Sequence, residues 1–108
     1  MKSKIAVVGD EESVMIFKAV GLDVHYADGQ SAVEKAIHTL ARDGYPVIYI
    51  TEQAAVQAAE AIDMYAGKLF PAIIPIPGKG KDLELGIKGV KKNVEKAVGS
   101  DILFGKGR

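Results

Sequence analysis

Four short strand-like runs recur along this chain, and each is followed by a turn and a stretch of helical spacing. Lys4-Ile-Ala-Val-Val8 stops at Gly9-Asp10. Asp23-Val-His-Tyr26, Tyr45-Pro-Val-Ile-Tyr-Ile50 and Phe70-Pro-Ala-Ile-Ile-Pro-Ile76 are the other three. The first, with Ile5 through Val8 all apolar, has the mark of a strand covered on both faces. Strands of that kind alternating with helices require a parallel sheet with helices packed on it.

The helical stretches carry their own punctuation. Asp10 and Ser13 are candidate caps for the first, with Glu11 and Glu12 suited to the positive end of its dipole. Val14, Phe17 and Val20 follow at helical spacing, and Gly21 ends it. Ser31 through Arg42 is the clearest helix. Ala32, Val33, Ala36, Ile37, Leu40 and Ala41 form one stripe, opposite Glu34, Lys35, His38, Thr39 and Arg42. Thr51 is a natural cap for a third helix over 53–66, closed by Gly67. Pro46 suits the first residue of a strand, and Pro75 demotes the fourth strand to an edge or an early end.

After the Pro77-Gly-Lys-Gly-Lys81 loop, Leu83, Ile87, Val90, Val94 and Ala97/Val98 make one narrow seam along a last helix. Gly86 and Gly89 weaken that helix by about 1 kcal/mol each relative to Ala, and they permit close approach of another backbone. Gly99 breaks it, and Ile102-Leu103-Phe104 precedes a Gly-Lys-Gly-Arg tail.

Right-handed crossovers with a switch beside the first strand give the order 2-1-3-4. The expected fold is therefore α/β: a four-stranded parallel sheet flanked by helices. It is a truncated flavodoxin-like, receiver-like domain of Rossmann type, with an open edge where a fifth strand would lie. A length of 108 residues fits one domain, 1–108. Residues 1–77 form its core sheet and helices, and 78–108 its loop, last helix and basic tail.

Charge divides along the same line. Residues 1–77 carry six basic and ten acidic side chains, and 78–108 carry eight basic and four acidic ones. The basic lysines have no interleaved aromatics and no nucleic-acid motif around them, so nucleic acid is not an expected partner. The chain has no cysteine, which excludes disulfides and thiolate chemistry. No apolar run approaches the roughly 18 residues that span a bilayer. A cytoplasmic place is expected, at a membrane only through partners.

Ligands in this fold sit at the carboxyl ends of the strands. The groups there are Gly9 through Glu12, Thr51-Glu52 and Pro77-Gly78-Lys79. Acids after the first strand resemble the magnesium site of a receiver. A receiver also needs an aspartate at the end of the third strand, and Thr51-Glu52 stands there instead. Gly78-Lys-Gly-Lys81 is followed by Asp82 rather than Ser or Thr, so it is not a phosphate loop. His25 and His38 share no ligand spacing, which leaves no zinc site. No catalytic, cofactor or metal residue is expected.

Four segments in order carry a family likeness. They are Ile5-Ala-Val-Val-Gly-Asp10 with Phe17 and Gly21 behind it; Val47-Ile-Tyr-Ile-Thr-Glu-Gln53; Pro71-Ala-Ile-Ile-Pro-Ile-Pro77; and Gly89 through Leu103. Together they resemble the F subunit of the archaeal/vacuolar-type (A-type/V-type) rotary ATPases and ATP synthases. Lys18-Ala19 departs from the Arg-Leu common in that family.

The resemblance implies a non-catalytic component of the central stalk that binds the coiled-coil D subunit. The pair turns inside the catalytic hexamer on the adaptor of the membrane ring, coupling ATP hydrolysis or synthesis to ion transport. A coiled coil offers a groove for a narrow-seamed helix. The expected contacts are Ile87, Val90, Val94, Ile102, Leu103 and Phe104, with Lys88, Lys91, Lys92 and Lys96 steering toward acidic surface. Ile87, Val90 and Val94 have an alternative use, covering the chain's own sheet. Two other functions stand beside this one: a degenerate receiver acting as a regulatory binding module, and an enzyme or nucleotide binder using the strand ends.

Overall fold

The computed structural model describes residues 5–78. Strands β1 (Ile5–Gly9), β2 (Asp23–Tyr26), β3 (Val47–Thr51) and β4 (Ala72–Ile76) form one sheet in the order β2-β1-β3-β4. Every pairing is parallel, with Val7 opposite Val24 and Tyr49, and Tyr49 opposite Ile74. The expected order 2-1-3-4 is the observed one. Helices α1 (Glu11–Val14), α2 (Gln30–Arg42), α3 (Glu52–Gln57) and α4 (Ala59–Tyr65) lie between the strands, with a 3-10 helix at Met15–Val20.

Strand side chains alternate between faces, so the sheet divides its apolar residues into two cores. Ala6, Val8, Ile48 and Ile50 point to one face. They pack with Val33, Ile37 and Leu40 of α2 and with Ala54, Ala58 and Ala61. Val7, Tyr49 and Ile76 point to the other and meet Val14, Phe17 and Leu22. The alanines of α3 and α4 recur at helical spacing, and their small side chains bring that layer close to the sheet.

Two helices differ from their sequence reading. The first is α-helical for only one turn and then tightens to 3-10 geometry. Gly21 closes it at φ 97°, donating its N–H toward Lys18 and Phe17 carbonyls. The second, expected as one helix over 53–66, breaks at Ala58, whose φ −120° and ψ 32° leave the helical range. Gln57, at the break, reaches across to the loop after β2.

β4 has a neighbour on one side only among the described residues, and Pro75 sits within it, exposed. A missing N–H is tolerated on such an edge. The last helix, the tail and all ten expected contact residues (Ile87, Lys88, Val90, Lys91, Lys92, Val94, Lys96, Ile102, Leu103 and Phe104) lie outside the described residues. No helix among the described residues is long and apolar enough to cross a membrane.

Candidate functional site: the carboxyl ends of the strands

β1 delivers Gly9 and Asp10 to the usual ligand end of the fold, and α1 begins at once. Asp10 is its N-cap: Oδ2 accepts from the Ser13 backbone N–H at 3.2 Å and from the Ser13 hydroxyl at 3.0 Å. These bonds settle the choice between the two candidate caps. The first satisfies an orphan N–H of the first turn, with Glu11 and Glu12 added at the positive end of the dipole. The acidic cluster therefore has a structural use.

β3 delivers Thr51, where a receiver would carry its aspartate. Thr51 is 1% exposed, and its hydroxyl oxygen accepts from the Ala54 N–H at 3.2 Å, capping α3. Its methyl group faces Gly9. A Cβ added at Gly9 would stand 2.6 Å from Thr51 Cγ2 and 2.9 Å from Val14 Cγ1. Between the ends of β1 and β3 the space is filled by the chain's own atoms. β4 delivers Pro77 and Gly78, and a Cβ at Gly78 would lie 3.7 Å from Ser13 Oγ. The chain thus leaves the described region beside α1. No group of three His, Cys, Asp or Glu side chains placed to hold a metal occurs among the described residues.

The histidines lie apart. His38, read from sequence as part of the polar face of α2, is half-buried against α4, where its Nδ1 lies 2.7 Å from the Tyr65 hydroxyl. Lys68 Nζ sits 5.4 Å from the Tyr65 ring centre. His25 packs edge-on to Tyr45 at 6.4 Å. The Tyr45 hydroxyl donates to Asp23 Oδ2 at 2.6 Å. That bond, with burial and the charges of Asp23 and Asp43, raises the phenol to about 12. Sequence reasoning missed the His38–Tyr65, His25–Tyr45 and Tyr45–Asp23 contacts, because each joins residues some 20 or more positions apart and no local spacing marks them.

Three of the exposed apolar residues lie at the other end and along the β4 edge. Leu69 is 81% exposed, Phe70 61% and Ile74 40%. Leu69 and Ile73 border an open cavity of about 340 Å³ together with Ile62, Tyr65 and Pro71.

The fold and its strand ends define a small flavodoxin-like α/β domain whose customary ligand end is closed by its own caps. A model of the family described as ATP synthase (F/14-kDa) subunit matches residues 5–94. The F subunit of the V-type ATP synthase of Clostridium perfringens is 44% identical over 103 residues, covering 95% of this chain and 98% of that protein. The corresponding V-type protein of Fusobacterium nucleatum is 41% identical over 100 residues, 93% of this chain and 95% of its own length. The F subunit of the A-type ATP synthase of Methanothermobacter thermautotrophicus is 30% identical over 105 residues, 95% and 99% of the two chains. The chain belongs to the ATP synthase (F/14-kDa) subunit family. It is a non-catalytic accessory component of the rotary ATPase, of the central stalk.

Proposed function

We propose that this chain is the docking member of the rotor stalk. It binds the coiled-coil D subunit and passes torque between the catalytic hexamer and the membrane-ring adaptor, so that ATP hydrolysis or synthesis is coupled to ion transport. Family membership is the observation that carries this reading. Closure of the strand ends supports it, since Asp10 and Thr51 spend their side chains on helix caps. A domain so built offers surfaces rather than a reaction site.

In this account the whole chain is one α/β domain, cytoplasmic and peripheral to the membrane through its complex. Its basic last third supplies the contact, through Ile87, Val90, Val94, Ile102, Leu103 and Phe104, with Lys88, Lys91, Lys92 and Lys96 guiding approach. An interface core of apolar residues with a charged rim is the usual anatomy of such contacts. The test is affinity purification of the tagged full chain from its own cells. Recovery of the catalytic and coiled-coil components of a rotary ATPase is the expected result. Recovery of a histidine kinase, without ATPase components, would favour the receiver-like module instead.

A further inference from the structure

The turn from β2 into α2 holds an Asp-Gly pair, Asp28-Gly29. Such a pair is chemically exposed. With no side chain on the glycine to hinder it, the Gly29 nitrogen can attack the Asp28 side-chain carboxyl carbon. The new C–N bond closes a five-membered succinimide as one water leaves. Hydrolysis returns one water. Opening at the original backbone carbonyl leaves isoaspartate, with the main chain rerouted through Cβ and Cγ and lengthened by one methylene.

A bulkier residue at 29 would slow this chemistry, but the backbone forbids it. Gly29 has φ 96° and ψ 152°, a region that essentially only glycine occupies. The fold answers with one side chain on α3. The Gly29 N–H donates to Gln57 Oε1 at 3.0 Å, and Gln57 Nε2 donates to Asp28 Oδ1 at 3.0 Å. One amide therefore holds both reacting groups, the nucleophilic nitrogen by its proton and the carboxylate by its oxygen. The break at Ala58 ends α3 at the residue that makes this reach.

We propose that Asp28-Gly29 is a latent isomerisation site and that Gln57 keeps it closed. Cyclisation requires the carboxylate to leave the Gln57 amide and the Gly29 N–H to leave its acceptor, so both bonds must break before the ring forms. An isoaspartate at 28 would push the start of α2 out of register with the end of β2. The Gln57 clamp is thus a durability device as well as a tether between α3 and the α2 entrance.

The chain carries its own reference. Asp43-Gly44 is the same dipeptide at the opposite end of α2, about 20 Å away along a helix of this length. Its glycine N–H donates to the Ala41 carbonyl rather than to a side-chain amide. The experiment ages the full chain, and its Gln57→Ala and Gln57→Leu variants, in warm near-neutral buffer. Peptide mapping by mass spectrometry then reads isoaspartate at 28 and at 43. Gln57→Leu keeps most of the bulk, guarding against a variant that simply loosens. Both variants are expected to raise the 28-to-43 ratio of isoaspartate roughly thirtyfold, the change that loss of two hydrogen bonds of ordinary net worth makes to a local equilibrium. An unchanged rate at 28, or equal acceleration at 28 and 43, overturns the proposal.

Discussion

Gly9 and Thr51 meet across the carboxyl ends of β1 and β3 so closely that a single added carbon at Gly9 would sit 2.6 Å from the threonine methyl. The place where a flavodoxin-like fold commonly receives a ligand is here packed as core. Gly9→Ala must displace Thr51 or Val14, and overpacking of this kind costs about 1–3 kcal/mol. Removing the obstructing methyl in Gly9→Ala/Thr51→Ser should return part of that loss. Urea unfolding of the two single variants and the double variant reads the coupling, and strict additivity would contradict the contact.

The two faces of the sheet should fail separately but comparably. Phe17 is fully buried on one and Ile37 on the other. Phe17→Ala is expected to cost about 3–5 kcal/mol and Ile37→Ala about 2–5. Either loss is a large part of the stability of a domain this size. Denaturant midpoints measure both. A change below about 1 kcal/mol at Phe17 would mean that α1 and the 3-10 helix do not cover that face.

Tyr45 gives the domain an alkaline signature. Its hydrogen bond to Asp23 holds the phenol proton more tightly in the folded chain than in the unfolded one, raising it from 10.0 to about 12. The stabilisation is complete below the ordinary tyrosine value and is lost as pH rises from about 10 toward 12. Stability measured across that window should fall less steeply in Tyr45→Phe than in the parent chain. Ultraviolet titration should also show a late-ionising tyrosine in the parent that Tyr45→Phe lacks.

Small phosphoryl donors with magnesium should leave the chain unmodified. Thr51 occupies the acceptor position, is buried, and has its hydroxyl oxygen engaged by the Ala54 N–H. Intact-mass measurement after incubation is the check. A labile acyl-phosphate adduct would contradict the reading of these strand ends as closed.

Much of this architecture was readable from the sequence, because its signals are local. The apolar run Ile5–Val8 and its Gly9-Asp10 stop mark a buried strand and a helix start. Val33, Ile37 and Leu40 repeat at helical spacing and are all buried. Pro75 marks the edge. What stayed hidden depends on distant partners. Nothing near Ala58 breaks a helix, since the alanines around it all favour one. The break coincides with the Gln57 reach to residues 28 positions or more away. The tightening after Val14 likewise has no local glycine or proline to announce it. At the strand ends, the sequence showed that the aspartate of a receiver is missing, with Thr51 in its place. The packing of Gly9 against Thr51 joins two strands 42 positions apart, a relation no spacing encodes.

Docking on a coiled coil through the last third of the chain is the central claim, and it has a direct test. The purified coiled-coil D subunit is titrated with the full chain and with a chain ending at Gly99, and the two affinities are compared by calorimetry. The account predicts tight binding by the full chain. Loss of Ile102, Leu103 and Phe104 should weaken it at least about tenfold, since a few buried apolar anchors carry most of an interface. Equal affinity for the two chains would contradict the tail contact, and absence of binding by either would contradict the docking function itself.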